Sequence, residues 1–226
     1  MSATAVARVK HRRDPVSVAL RAWGIVVYMF LFLPILVIVI YSFNNGRTIL
    51  NFDGIGLEGY RTGTTDPTIL DAVKTSIAVA VGTALIATVL GSCAGIALAR
   101  RKGKWTFPFM ALVFLILVTP EIVVAIALLI WYVRIGGPFG PNVSIHGVSY
   151  GMLRLWAGHS LFAIAVVTLI VRARLAGLEE TLEEAAADLY ATPWRRFRQI
   201  TLPLMMPAVL AGALLSFAFS LDDTII

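Results

Sequence analysis

Two sets of residues in this chain have types and spacing suited to a task. The first is three carboxylates within or at the end of long apolar runs: Glu121, and the pair Asp222 and Asp223. A charge at membrane depth is costly and normally faces a cavity or a partner charge. Carboxylates in such a place can hold cations. Pro120 adds to this, because it has no N–H to give the carbonyl of Ile116, which is then free to accept from a cation. A competing reading pairs Glu121 with an arginine of a partner helix and makes Asp222 and Asp223 the start of an outer loop. The second set is Glu184-Ala185-Ala186, then Tyr190, then Ile200-Thr201-Leu202-Pro203. These residues fit mechanical contact, not bond chemistry: small alanines allow close approach, and a carboxylate can bond free amides at a helix start or a basic group on a partner.

The elements that position these residues follow from composition. Of 226 residues, 58% are hydrophobic and 14% charged, well under the quarter usual in soluble domains. That excludes a soluble enzyme, a disordered chain and a secreted disulfide scaffold. Cys93 is the single cysteine, and with only His11, His146 and His159 beside it no metal-ligand cluster is expected. No serine sits on a recognisable nucleophile elbow, so no catalytic residue is expected. His159 is read as a hydrogen-bonding group between helices and His146 as a solvated turn residue. No phosphate-cradling glycine motif is present either, so the chain does not hydrolyse ATP by itself.

A helix needs about 20 apolar residues to cross a bilayer. Charge-free intervals of 25, 25, 17 and 23 residues follow Arg21, Lys74, Arg154 and Arg198, and 29 residues with the one charge of Glu121 follow Lys104. They give an all-α, polytopic chain with five spans, near 20–43, 72–99, 105–133, 153–174 and 204–224. The first is too long for a cleaved signal peptide and is expected to remain as an anchor. Residues 1–19 form a basic tail and 20–226 the transmembrane domain, with a loop at 178–203. Lys and Arg number 14 in the tail, the 100–104 loop and the 172–198 loop, against 5 on the other side. That asymmetry puts the N-terminus in the cytoplasm and accounts for RRKGK without nucleic acid. Taken as straight rods, the third and fifth spans carry Glu121 and Asp222 about 22–24 Å from the inner side, so the carboxylates share one depth.

Small residues recur every four positions in the second span (Thr83, Ala87, Gly91, Gly95, Ala99) and in the fifth (Ala208, Gly212, Ser216, Ser220). Close backbone approach, not apolar surface, packs helices in lipid, so these faces are expected to meet other helices. In the 178–203 loop, Leu178, Leu182, Ala185 or Ala186 and Leu189 keep helical spacing. Thr181 with Glu184 fits a capping box. Thr192-Pro193 starts a second short helix, with Trp194, Phe197 and Ile200 on its buried side. Pro203 and Pro207 mark the start of the fifth span.

This loop resembles the EAA motif of the permease subunits of ABC importers: Glu-Ala-Ala, three residues, Gly, nine residues, Ile, one residue, Leu-Pro. Every fixed position matches except the glycine, which is Tyr190. The resemblance implies that Glu184, Ala185, Ala186, Tyr190, Ile200, Leu202 and Pro203 belong to coupling helices that dock on an ATPase subunit. Tyr190 either stays at negative φ with an altered turn or takes the left-handed conformation under strain of about 1–2 kcal/mol. Thr119-Pro120-Glu121-Ile122-Val123 and Leu221-Asp222-Asp223 look like the spermidine/putrescine branch, as does the order of spans over residues 20–226. The fold implied is the transmembrane domain of a type I ABC importer, a family with six spans, so one span is expected to be missing here. The partners implied are a second permease, a dimer of ATP-binding subunits carrying MgATP, an extracytoplasmic polyamine-binding protein and membrane lipid, in a bacterial inner membrane. Rival readings are the same machine for a ferric ion, a phosphonate or an opine, and an ATP-independent secondary transporter.

Overall fold

The structure is a computed structural model, and it describes residues 15–46, 51–100, 103–135, 144–145, 148–178 and 181–223. The expectations for His11, His146 and the start of the basic tail fall outside these residues. The helices are α1 (Pro15–Ser42), α2 (Glu58–Thr65), α3 (Pro67–Arg100), α4 (Thr106–Val118), α5 (Glu121–Ile130), α6 (Tyr150–Ala176), α7 (Thr181–Asp188), α8 (Pro193–Arg196) and α9 (Leu202–Asp222). A two-residue antiparallel pair, β1 (Ser144–Ile145) and β2 (Val148–Ser149), precedes α6. The chain is therefore the expected polytopic helical protein. It forms two units, residues 1–70 and 71–226.

In the first unit α1 starts at Pro15, so the described end of the expected 1–19 tail is already helical. No residue of α1 is buried. The polar stretch that follows is more ordered than its composition suggests. The side chain of Asn44 donates to the carbonyl of Asn51 at 2.7 Å and accepts from the backbone N–H groups of Gly46 and Asp53. Tyr60, on α2, donates to the Ser42 hydroxyl at 2.8 Å and ties that helix to the end of α1.

In the second unit α6 is the central helix. Val167, Val171, Ala163 and Thr168 on it are buried. Both small-residue stripes lie against it. A β-carbon on Gly91 would come within 2.7 Å of the Val167 side chain and 3.0 Å of the Ile164 carbonyl. One on Gly95 would meet the Thr168 carbonyl at 2.9 Å, and one on Gly212 would meet Val167 at 3.3 Å. Thr83, Ala87, Gly91 and Gly95 on α3, and Ala208, Gly212, Ser216 and Ser220 on α9, are all buried. Trp156 on α6 adds a hydrogen bond to the Ala78 carbonyl of α3 at 3.2 Å.

Two spans depart from the straight rods expected. The third is broken at Thr119-Pro120, and its halves are bent by 100°. The cause is local. A residue before proline is pushed out of the α region, and Thr119 is extended at ψ 124 with Pro120 at ψ 135. Both arms touch α6, at points well apart along it. Met110 on α4 meets Arg172 near one end of α6, and Tyr132, beyond α5, lies under Arg154 near the other. Those α6 residues are 18 apart, about 27 Å along the helix.

The second departure is in the fifth span, expected at 204–224 with a separate short helix before it. Helix α8 instead runs through a π turn (Phe197–Thr201) into α9, giving one rod from Pro193 to Asp222. Pro203 has no N–H for the carbonyl four residues back and its ring crowds that carbonyl. A wider turn just before it relieves the clash, as π bulges do.

Candidate coupling and translocation site

Helix α7 ends in a turn whose geometry is set by Tyr190. Tyr190 has φ +59. Its N–H donates to the Ala187 carbonyl at 2.9 Å, and the Ala191 N–H reaches back to Ala186 at 3.0 Å. This is the Schellman ending, normally built on glycine. The strained alternative expected from the sequence is thus the one adopted, and the β-carbon of Tyr190 costs about 1–2 kcal/mol there. Thr192 then caps α8, its hydroxyl accepting from the Arg195 N–H at 3.4 Å, with Pro193 in the first turn.

The two faces of α7 differ. Glu184, Ala185 and Leu189 are exposed, whereas Glu183 and Ala186, three apart, are half-buried. Leu189 is 81% and Tyr190 96% exposed. Trp194 was expected on the buried side of α8 but is 68% exposed and stacks on Phe197 at 5.7 Å between ring centroids. Phe197 and Leu202 take the inner position against the α6 core, while Ile200 is half-buried and Pro203 exposed. Exposed glutamate, alanine, leucine and two aromatic rings thus stand on one short platform.

The carboxylates occupy three different settings. Glu121 is exposed in the first turn of α5, at the apex of the broken span. There the helix dipole offsets part of its charge. A span bent this far cannot be measured as a rod, so the depth shared with Asp222 does not follow from residue counting. Asp222 is exposed at the last position of α9. Asp223 follows it in extended conformation, with its carboxylate 3.8 Å from Nδ1 of His159. His159 is buried and also lies 3.0 Å from the Ser220 hydroxyl, so it bonds between helices as expected. At the end of α9, two carboxylates add to the unpaired carbonyls and negative dipole end of the helix. That concentrates negative potential in a way Glu121 alone does not.

One residue escaped the sequence reading. Glu183, not Glu184, is the glutamate turned toward the protein. Its Oε1 accepts from Arg100 at the end of α3 and from the Thr201 hydroxyl at 2.6 Å. Adjacent glutamates on a helix point about 100° apart, and only the docking of α7 decides which faces inward.

Spans packed by small residues around a central helix, with a short exposed platform at one end, define a multi-pass membrane protein of the transport permease class. Residues 87–226 match the model for the inner membrane component of binding-protein-dependent transport systems, and the chain belongs to that family. It is 36% identical to the putrescine transport system permease protein PotI of Escherichia coli K12 over 211 residues, covering 90% of this chain and 73% of that one. It is 33% identical to the spermidine/putrescine transport system permease protein PotC of the same strain, covering 88% and 72%. The Haemophilus influenzae PotC is also 33% identical, covering 91% and 76%.

Proposed function

We propose that this chain is one of two permease subunits of an ATP-driven polyamine importer in a bacterial inner membrane, with its N-terminus in the cytoplasm. The observation that carries the substrate is the 36% identity to a putrescine permease along 90% of the chain. A second permease completes the pathway, and an extracytoplasmic binding protein delivers the polyamine. Two ATP-binding subunits hold MgATP and perform the hydrolysis. The platform of Glu184, Ala185, Leu189, Tyr190 and Trp194 docks on one of them, with Ala186 on its inner side. The Schellman turn supports this reading, because it keeps the backbone geometry of the motif despite the loss of its glycine.

ATP binding draws the two coupling platforms together and opens the cavity outward, and hydrolysis resets it. The shift requires that MgATP favour one conformation over the other, and the α7–α8 platform is where that difference enters this chain. Glu121, Asp222 and Asp223 line the cation path. The end of α9 attracts ammonium groups most strongly, and Glu121 contributes a second carboxylate at the elbow of the broken span. A diamine needs two such stations, separated along the path. The test is uptake of radiolabelled putrescine into proteoliposomes holding the complex, with ATP enclosed and the binding protein added outside. Competition by unlabelled putrescine or spermidine, and none by ferric ion, phosphonate or opine, is expected. Competition by one of those solutes and not by polyamines overturns the substrate assignment.

A further inference from the structure

We propose that Glu183 is a positioning residue that transmits movement of α7 into α3 and α9 at the same time. The inference rests on the coupling role given to α7 above, and assigns the force path behind it. Helix α7 has eight residues, too few to hold together without tertiary contacts. Its inner face packs on α8 and the π turn, and its polar link to the rest of the subunit runs through one carboxylate oxygen. Arg100, the last residue of α3, and Thr201, the last residue of the π turn before α9, both donate to Oε1 of Glu183. Bonds to an ionised acceptor are the strong kind, about twice as strong as neutral ones.

The three residues differ in what they do when α7 moves. Thr201 is only 5% exposed, and no backbone slack separates it from α9. A displaced carboxylate therefore drags the root of α9 or strands a buried hydroxyl. Arg100 has a longer side chain and connects the same oxygen to α3. Both α3 and α9 are locked on α6 by close backbone contact at Gly91, Gly95 and Gly212. A push on the outer face of α7 thus reaches α3 and the root of α9 through the Glu183 carboxylate, beside the chain path through α8. At the far end of α9 stand Asp222 and Asp223, so the same rod connects the platform to the carboxylates.

The test compares variants in the assembled complex, reading two rates together: ATP hydrolysis stimulated by loaded binding protein, and putrescine uptake per ATP. Glu183→Ala is expected to assemble, hydrolyse ATP and lose about tenfold in uptake per ATP. Glu183→Gln, which keeps an acceptor for Thr201, is expected to lose less. Arg100→Glu with Glu183→Arg is expected to recover part of what Arg100→Glu alone loses. Thr201→Val and Arg100→Met remove one donor each and are expected to be intermediate, so a result is read even where Glu183→Ala fails to assemble. Assembled variants with wild-type uptake per ATP overturn it, as does an exchange that recovers nothing. A wild-type complex that hydrolyses ATP yet moves no polyamine overturns the substrate reading alone, and the variants are then compared by uptake per ATP of the solute it does move.

Discussion

In α3 and α9 the decisive residues are those with the least side chain, and in α7 and α8 they are those with the most exposed. Gly91, Gly95 and Gly212 work by leaving room for Val167, Thr168 and Val171 of α6. Leu189, Tyr190 and Trp194 work by standing out from the chain, where nothing in this subunit covers them among the described residues. The first region spends its sequence on its own packing. The second leaves its side chains exposed, and even accepts a strained backbone at Tyr190. The teaching of the contrast is that mutations in the two regions should separate stability from coupling.

The largest expected effect is in the packed region. Gly91→Leu forces a side chain into Val167 and the Ile164 carbonyl, and should cost about 2–3 kcal/mol, seen as a lower Tm of the purified permease. Ala97→Leu on the exposed side of the same helix should shift it by about 0.5 kcal/mol or less. Equal shifts would dissolve the distinction between the two faces. Next is Glu121→Gln, expected to reduce uptake at limiting putrescine about tenfold, equal to about 1.4 kcal/mol, with Tm unchanged. Unchanged uptake would remove Glu121 from the pathway and leave the aspartates of α9 as its cation site.

Trp194→Ala should weaken binding of the ATPase subunit by about 1–2 kcal/mol in a titration, as loss of an exposed aromatic anchor does, and should leave Tm nearly unchanged. A large Tm loss instead would place Trp194 with the packed region. The smallest effect is expected for Tyr190→Gly. Glycine relieves the left-handed strain but frees the unfolded chain, for a net gain of about 0.5 kcal/mol in Tm measurements. A loss of stability would mean that the Tyr190 ring, not its backbone, organises the turn.

Much of this contrast was legible in the sequence because it depends on residue type at fixed spacing. The four-residue recurrence of Thr83, Ala87, Gly91 and Gly95 identifies a buried face before any partner helix is known. The interval from Glu184 to Pro203 likewise identifies the loop. What was not legible depends on three-dimensional docking. Pro120 could be read as freeing one carbonyl or as breaking a span. Only the extended conformation of Thr119 and the attachment of both arms to α6 decide for the break. Trp194 shares helical spacing with Phe197, yet only Phe197 reaches the core, with the exposed Trp194 stacked on it. The choice between Glu183 and Glu184 turns on the positions of Arg100 and Thr201, which lie 83 and 18 residues from Glu183 along the chain.

The central claim is that ATP-driven polyamine movement enters this chain through the exposed face of α7. Substituting Ala185→Arg places a long cation on that face without touching the α6 core. The decisive measurement is ATP-dependent uptake of radiolabelled putrescine in proteoliposomes containing the wild-type or the Ala185→Arg complex. The account predicts uptake that requires ATP in the wild type and is lost in the variant, with the permease still folded in the membrane. Uptake that proceeds without ATP, or that survives Ala185→Arg at the wild-type rate, would contradict it.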